Sequence, residues 1–160
     1  MIKNDRQYNI TKTQAEKFAE ALQGISKGKS MQHIHPALAK AQQQAIENQY
    51  EELQQELKEY EELKKGKRKV LRVNSFEYLP IALIQARIAR GLTQKELAQK
   101  LGLKEQQIQR YEANSYAKAS LTRINQIIDV LDIQIGSKVD LNGSGVSRRT
   151  HISVRLATRS

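Results

Sequence analysis

The chain has 160 residues, a formal net charge of +10, no cysteine and an aromatic content of only 5%. That length suits one or two modest domains, and the missing thiols exclude a disulfide framework or a thiolate metal site, which fits a reducing cytoplasm. So basic a balance points to an acidic partner, and the scarcity of aromatic platforms argues against a protein that stacks single-stranded bases.

The first residues, Met1-Ile-Lys-Asn-Asp-Arg-Gln7, are polar and lack a signal-peptide pattern. No stretch approaches the roughly 18 apolar residues of a membrane span, so no membrane partner is expected. Thr11 and Thr13 each have Gln or Glu three residues later, and Ala15, Phe18, Leu22 and Ile25 follow at spacings of three and four. That is the signature of a capped amphipathic helix. After a loop over residues 24–35, Pro36 stands where a first helical residue would, and a longer helix is predicted to run to about Lys65 and stop at Gly66. Its apolar stripe is Ile46, Tyr50, Leu53, Leu57 and Tyr60, the seam of a short coiled coil with acidic flanks. Residues 35–63 carry two Lys or Arg against seven Asp or Glu, a net −5. Such a seam must bury itself: it can fold back on the Phe18 helix as a hairpin, pair with its copy in a second chain, or receive another protein.

Enzyme signals in this half fail on spacing. Gly24-Ile-Ser-Lys-Gly-Lys-Ser30 has three residues between its glycines where a phosphate-binding loop needs four, and it follows a helix where that loop follows a strand. His33, His35 and His151 are the only histidines, too few for a metal site without thiols. The seven glutamates read as the solvated side of a coiled coil, and no nucleophile and base can be paired. The expectation is therefore a non-enzyme with no metal and no cofactor.

Lys64-Lys-Gly-Lys-Arg-Lys69 marks a boundary, either a solvated linker or an arm along a phosphate backbone. Val70-Leu-Arg-Val73 alternates briefly, as a small strand would. Beyond it, Leu92-Thr-Gln-Lys-Glu-Leu-Ala-Gln-Lys-Leu-Gly-Leu-Lys-Glu-Gln-Gln-Ile-Gln-Arg-Tyr-Glu112 reads as two short helices around a glycine turn. Thr93 and Glu96 form a capping box, with Leu92 and Leu97 at the staple positions. Gly102 supplies the left-handed turn, and Leu103 and Ile108 repeat the staple spacing for the second helix, whose cap position is held by Lys104. On that helix Ile108 and Tyr111 can point inward, leaving Glu105, Gln106, Gln109 and Arg110 outward. Gln matches the major-groove edge of adenine and Arg that of guanine, so this face can read duplex sequence.

Residues 79–131 resemble the XRE family, the helix-turn-helix domain of phage-repressor-like regulators and of many antitoxins. The resemblance implies a lambda-repressor-like bundle of four or five helices, for whose first four residues 80–90, 94–101, 105–111 and 121–131 are suitable. It implies that Gln94 touches phosphate and helps orient the reading helix, that Glu105, Gln106 and Arg110 face bases, and that Gln107 faces the backbone. Arg87 and Glu112 match family positions that form an internal ion pair. Lys104 and Lys118, at either side of the reading helix, complete the expected DNA-binding set. Glu105 departs from the usual neutral or basic residue, and either reads a cytosine amino group or caps the helix N-terminus. In place of the family's fifth helix, Asp132-Ile-Gln-Ile-Gly136 alternates like a strand.

The expected protein is thus mainly α: an N-terminal helical hairpin or coiled coil over 1–65, a basic linker over 66–74, an XRE-like helix-turn-helix domain over 75–141 and a flexible basic tail over 142–160. Residues 70–141 are expected to fold alone. Residues 64–120 hold thirteen Lys or Arg against four Asp or Glu, a net +9, so the basic excess coincides with the reading helix. These readings point to a cytoplasmic, homodimeric transcriptional repressor bound to a double-stranded DNA operator. The alternative is a HigA-like antitoxin that represses its own operon and holds a toxin protein through its N-terminal helices.

Overall fold

The computed structural model describes residues 1–26, 35–67, 70–73, 76–137 and 152–156. Lys27 to Ser30, His33, Arg68, Lys69, His151 and, within the expected tail, residues 142–151 and 157–160 lie outside the described residues. The chain divides into two compact units, Met1–Glu61 and Glu62–Ser160.

The first unit is built on α1 (Asp5–Ser26) and α2 (Pro36–Lys64). Helix α1 starts earlier than the Thr11 and Thr13 boxes predict, because Asn4 supplies the cap: its Oδ1 accepts the Gln7 N–H at 2.9 Å, while Gln7 Oε1 accepts the Lys3 N–H at 2.8 Å. Asp5 in the first turn adds a favourable charge at the positive end of the helix. Helix α2 begins at Pro36, with His35 Nδ1 accepting the Ala37 N–H at 3.3 Å. It ends where Gly66 takes φ +65°, bonding its N–H to Leu63 O at 2.9 Å while Lys67 bonds Glu62 O at 3.2 Å. That pair of bonds satisfies two terminal carbonyls and requires a left-handed residue between them.

The α2 seam folds back on α1 as a hairpin. The Tyr8 and Tyr60 rings stack 5.4 Å apart, the Tyr8 hydroxyl donates to Glu61 Oε1 at 2.7 Å, and the Tyr60 hydroxyl donates to Asp5 Oδ1 at 3.0 Å. The N-terminal ammonium of Met1 meets Glu56. These contacts bring the start of α1 beside the end of α2, so the helices run antiparallel. Leu57 and Tyr60 are buried, as is Ala15 on α1, while Ile46, Tyr50 and Leu53 are half-buried.

The second unit holds β1 (Val70–Val73), a single 3-10 turn at Phe76–Tyr78, α3 (Leu79–Ala89), α4 (Gln94–Lys100), α5 (Glu105–Ala113), α6 (Leu121–Leu131), β2 (Ile133–Ser137) and β3 (Ile152–Leu156). The four helix boundaries agree with the sequence expectation to within two residues. Val70–Val73 and the stretch after Asp132 are strands, as their alternation suggests. The difference lies in the tail: Ile152–Leu156 is the middle strand of a three-stranded sheet ordered β1-β3-β2, antiparallel to both neighbours. The physical reason is legible in retrospect. Ile152-Ser-Val-Arg-Leu156 alternates, its Val154 is buried opposite Ile135, and Leu156 pairs with Ile133. A fragment of residues 70–141 therefore lacks the strand that joins β1 to β2, and the smallest fragment with a complete sheet must reach Leu156.

Helix α3 is buried on nearly every side, with Leu79, Ala82, Leu83, Ile84, Ala86 and Ile88 all in the core, and so shows no amphipathic stripe. Leu97, Ile108, Ile127 and Leu131 pack the other helices into the same core. Gly102 ends α4 at φ +65°, with its N–H on Gln99 O at 3.2 Å and the Leu103 N–H on Ala98 O at 2.9 Å. An added Cβ at Gly102 would meet nothing within 4 Å, so only backbone conformation resists substitution. Gly102→Ala is expected to cost about 1–2 kcal/mol in denaturant unfolding, and Gly102→Asn, which tolerates that conformation better, clearly less. Equal losses for the two variants would show that the site is not conformationally limited.

Candidate nucleic-acid interface

Helix α4 starts at Thr93, whose Oγ1 accepts the Glu96 N–H at 3.1 Å while Glu96 Oε2 accepts the Thr93 N–H at 2.7 Å. That second bond is the largest cause holding the Glu96 carboxyl below its ordinary range, with the Thr93 hydroxyl and Lys100 adding to it. The Gly102 turn then delivers α5, whose N-cap is Lys104. A lysine side chain cannot accept a hydrogen bond, so half of the usual box is absent. Gln107 supplies the other half by accepting the Lys104 N–H on its Oε1 at 3.0 Å. Its amide nitrogen remains for the backbone contact that the resemblance assigns to it.

Four outward residues of α5, Glu105, Gln106, Gln109 and Arg110, are exposed, while Ile108 and Glu112 are fully buried. Tyr111 is half-buried and stacks on Tyr116 with ring centroids 6.0 Å apart. Lys104 and Lys118 are exposed before and after the helix. Gln109 Nε2 donates to Glu105 Oε1 at 3.0 Å, along one stripe of the outward face.

A buried charge cluster fixes this helix. Arg87 on α3 grips Glu112 with both arms of its fork, Nε to Oε1 at 2.6 Å and Nη2 to Oε2 at 2.8 Å, and its Nη1 donates to Leu92 O at 2.7 Å. Gln94, expected at phosphate, has its side chain turned inward: it is only 8% exposed and donates its Nε2 to Glu112 Oε2 at 2.8 Å. A carboxylate of 0% exposure attracts every available donor, and Gln94 stands within reach at the start of α4. Its side chain therefore orients α5 from within.

Sequence reading missed two supports. Arg90 donates from Nε to Leu131 O at 2.9 Å and from Nη2 to Asp132 O, capping α6 where Asp132 turns left-handed at φ +50°. Nothing local marks Arg90, because its partners are 41 and 42 residues away. At the end of α5, Ser115 and Tyr116 take φ +47° and +56°, with Ser115 N–H on Glu112 O and Tyr116 N–H on Tyr111 O. A residue without glycine's freedom at such a turn leaves no compositional trace. Tyr116 is buried, its hydroxyl has no hydrogen-bond partner among the described residues, and burial pushes its phenol far above the ordinary value.

Residues 83–137 match the model of the helix-turn-helix family, from within α3 to the last residue of β2. This segment is a helix-turn-helix domain, similar to those of the XRE family. The matched segment is about a third of the chain. No curated protein and no solved structure matches the chain. A helix-turn-helix is a regulatory DNA-binding domain and not an enzyme family. Among the described residues no three His, Asp or Glu side chains are grouped so as to hold a metal ion, and no helix is long and apolar enough to cross a membrane.

Two measurements probe the domain's supports. Arg87→Met strands a buried carboxylate and should cost about 3–5 kcal/mol in denaturant unfolding, much of which the double replacement Arg87→Met with Glu112→Leu should restore. A double variant as unstable as the single one would show that the cost is lost packing rather than a stranded charge. Glu96 has a folded pKa below its unfolded value of 4.5, so its contribution is present above that value and is lost as pH falls toward the folded pKa. Glu96→Gln should therefore lower stability at neutral pH and flatten the fall below pH 4.5, as seen in thermal melts across pH. An unchanged acid limb would remove the Thr93 cap as its cause.

Proposed function

We propose that this protein is a sequence-specific, homodimeric transcriptional repressor of the XRE type, acting in the cytoplasm by occupying a double-stranded operator. The observation that carries this reading is a short helix held by a buried ion pair, with Glu105, Gln106, Gln109 and Arg110 exposed together on its outer side. Amide and guanidinium groups fixed on one helix face match base edges in the major groove, whose width admits a helix. Lys104, Gln107 and Lys118 stand at its ends and supply phosphate contacts, which set register and most of the affinity without selecting sequence. Occupying an operator blocks polymerase without any catalytic group. Dimerisation follows the two-fold symmetry of such operators.

A second reading, an antitoxin that neutralises a toxin protein and represses its own operon, is supported by the hairpin. Met1–Glu61 forms a compact unit of its own, separate from the segment that carries the reading helix. Co-expression with the product of a small neighbouring gene, if that product is a toxic ribonuclease, distinguishes the two.

The decisive experiment selects duplex DNA from a random pool with the full chain. Arg110→Ala should cost about 1–3 kcal/mol on the selected site and much less on random DNA, whereas Lys118→Ala should weaken both alike. Equal losses on both DNAs for Arg110→Ala would remove it from the base-reading set.

A further inference from the structure

Two helices packed side by side cover each other along one line only and cannot enclose a core. Among the described residues of Met1–Glu61 the buried apolar side chains are Ile2, Ala15, Leu57 and Tyr60, while Phe18, Tyr50 and Leu53 stay half-buried. A unit of that size with so little interior requires a further layer. Its place is marked by a groove of about 310 Å³ between α1 and α2. Five residues of each helix line the groove at the same spacing, from Tyr8 to Ala19 on α1 and from Tyr50 to Glu61 on α2. Three turns of helix make it roughly 16 Å long, enough for an equal length of another helix. Ala15 and Ala19 keep the α1 side low, so a helix seated there can approach closely.

The charges on this groove choose its occupant. Tyr8 bonds to Glu61 and stacks on Tyr60, so one turn forward along α1 and one turn back along α2 bring Lys12 and Lys58 to the same level. Glu16 lies one turn beyond Lys12. Lys12, Glu16 and Lys58 are exposed and make no hydrogen bond or ion pair among the described residues, so their charges are available to whatever seats on the groove. We propose that a second copy of this hairpin seats here, α1 antiparallel against the partner's α1, in a four-helix bundle where Lys12 of each chain faces the partner's Glu16. A two-fold axis between Lys12 and Glu16 makes that pair twice, as a self-complementary interface requires. The other two-fold stacking, α1 against the partner's α2, sets Lys12 on the partner's Lys58 at the same level and repels. Bundle packing then supplies the missing layer and covers Tyr50. The inference takes up the homodimer of the proposed function and names the surface that joins its copies; it does not depend on what α5 reads.

Sedimentation equilibrium and light scattering of the full chain, without DNA, test this across concentration. The native chain should be a dimer. Lys12→Glu and Glu16→Lys each replace two attractions by two repulsions and should raise the dimer dissociation constant about tenfold or more. Making both changes in one chain restores opposite charges across the axis and should return the constant to near its native value. Lys17→Glu, the same change of charge on α1 but off the groove, should leave it unaltered. All three side chains are exposed, so circular dichroism should show native helix content in every variant. A dimer that the single changes leave intact, that the double change fails to restore, or that Lys17→Glu weakens equally overturns this interface while leaving a homodimer standing. A native chain that stays monomeric overturns the bundle and the homodimer together, and DNA selection by that monomer would leave the reading role of α5 intact. If such a monomer pairs with the co-expressed product of a neighbouring gene and Lys12→Glu abolishes the pairing, the groove belongs to another protein and the proposal fails.

Discussion

A carboxylate with no exposure to water survives as a charge only if donors surround it, and in this protein that requirement organises the DNA-binding domain. Glu112 is met by two arms of Arg87 and by the Gln94 amide. Those donors come from α3 and from the first residue of α4, and the acceptor sits near the end of α5. Three helices are thereby joined at one point. Apolar packing alone fills volume and tolerates small rotations, whereas a bidentate fork has one geometry. The angle at which α5 presents Gln106 and Arg110 is set by that fork more than by Ile108 beneath it. A buried pair adds little net stability, so its contribution is to orientation.

Turn chemistry does the rest. Gly91, Gly102 and Ser115 each end a helix in the left-handed region, and each is followed by the same pair of terminal bonds. The helix that precedes each one stops without leaving its last carbonyls unpaired, and the chain leaves in a fixed direction. Because α4 and α5 are only seven and nine residues long, neither would persist alone. Their shape is determined by capping at both ends and by the apolar residues between.

The helix-turn-helix was legible because its determinants are local: the Thr93 and Glu96 box, Gly102, and the inward spacing of Leu97 and Ile108 all fall within a few residues of one another. The ion pair came from resemblance and not from pattern, since its partners are 25 residues apart. What sequence reading missed was non-local or conformationally unusual. Thr11 and Thr13 carry the same three-residue spacing to Gln or Glu as Asn4 does to Gln7, so spacing alone does not tell which of them caps α1. The tail strand was hidden by the glycine- and serine-rich stretch before it, and a five-residue alternation has no meaning until β1 and β2 provide edges on both sides. The bond from Gln94 to Glu112 has no local signature, because the buried carboxylate that draws the side chain inward lies 18 residues away.

The presence of an acid on the reading helix has its own logic. Phosphate lines every duplex, so the charge of Glu105 opposes all DNA alike and lowers sequence-independent affinity. In the proposed reading, a base amine that meets a Glu105 oxygen offsets this cost at one kind of site only. Such a residue weakens the complex on average and raises the ratio of specific to non-specific binding, which is the quantity that matters when one operator competes with a genome of other sites. The basic residues over 64–120 other than the buried, paired Arg87 supply general attraction, and a helix face that added only more of it would bind tightly and choose poorly. The mixture of one acid, two amides and one guanidinium on α5 is what discrimination, rather than affinity, requires.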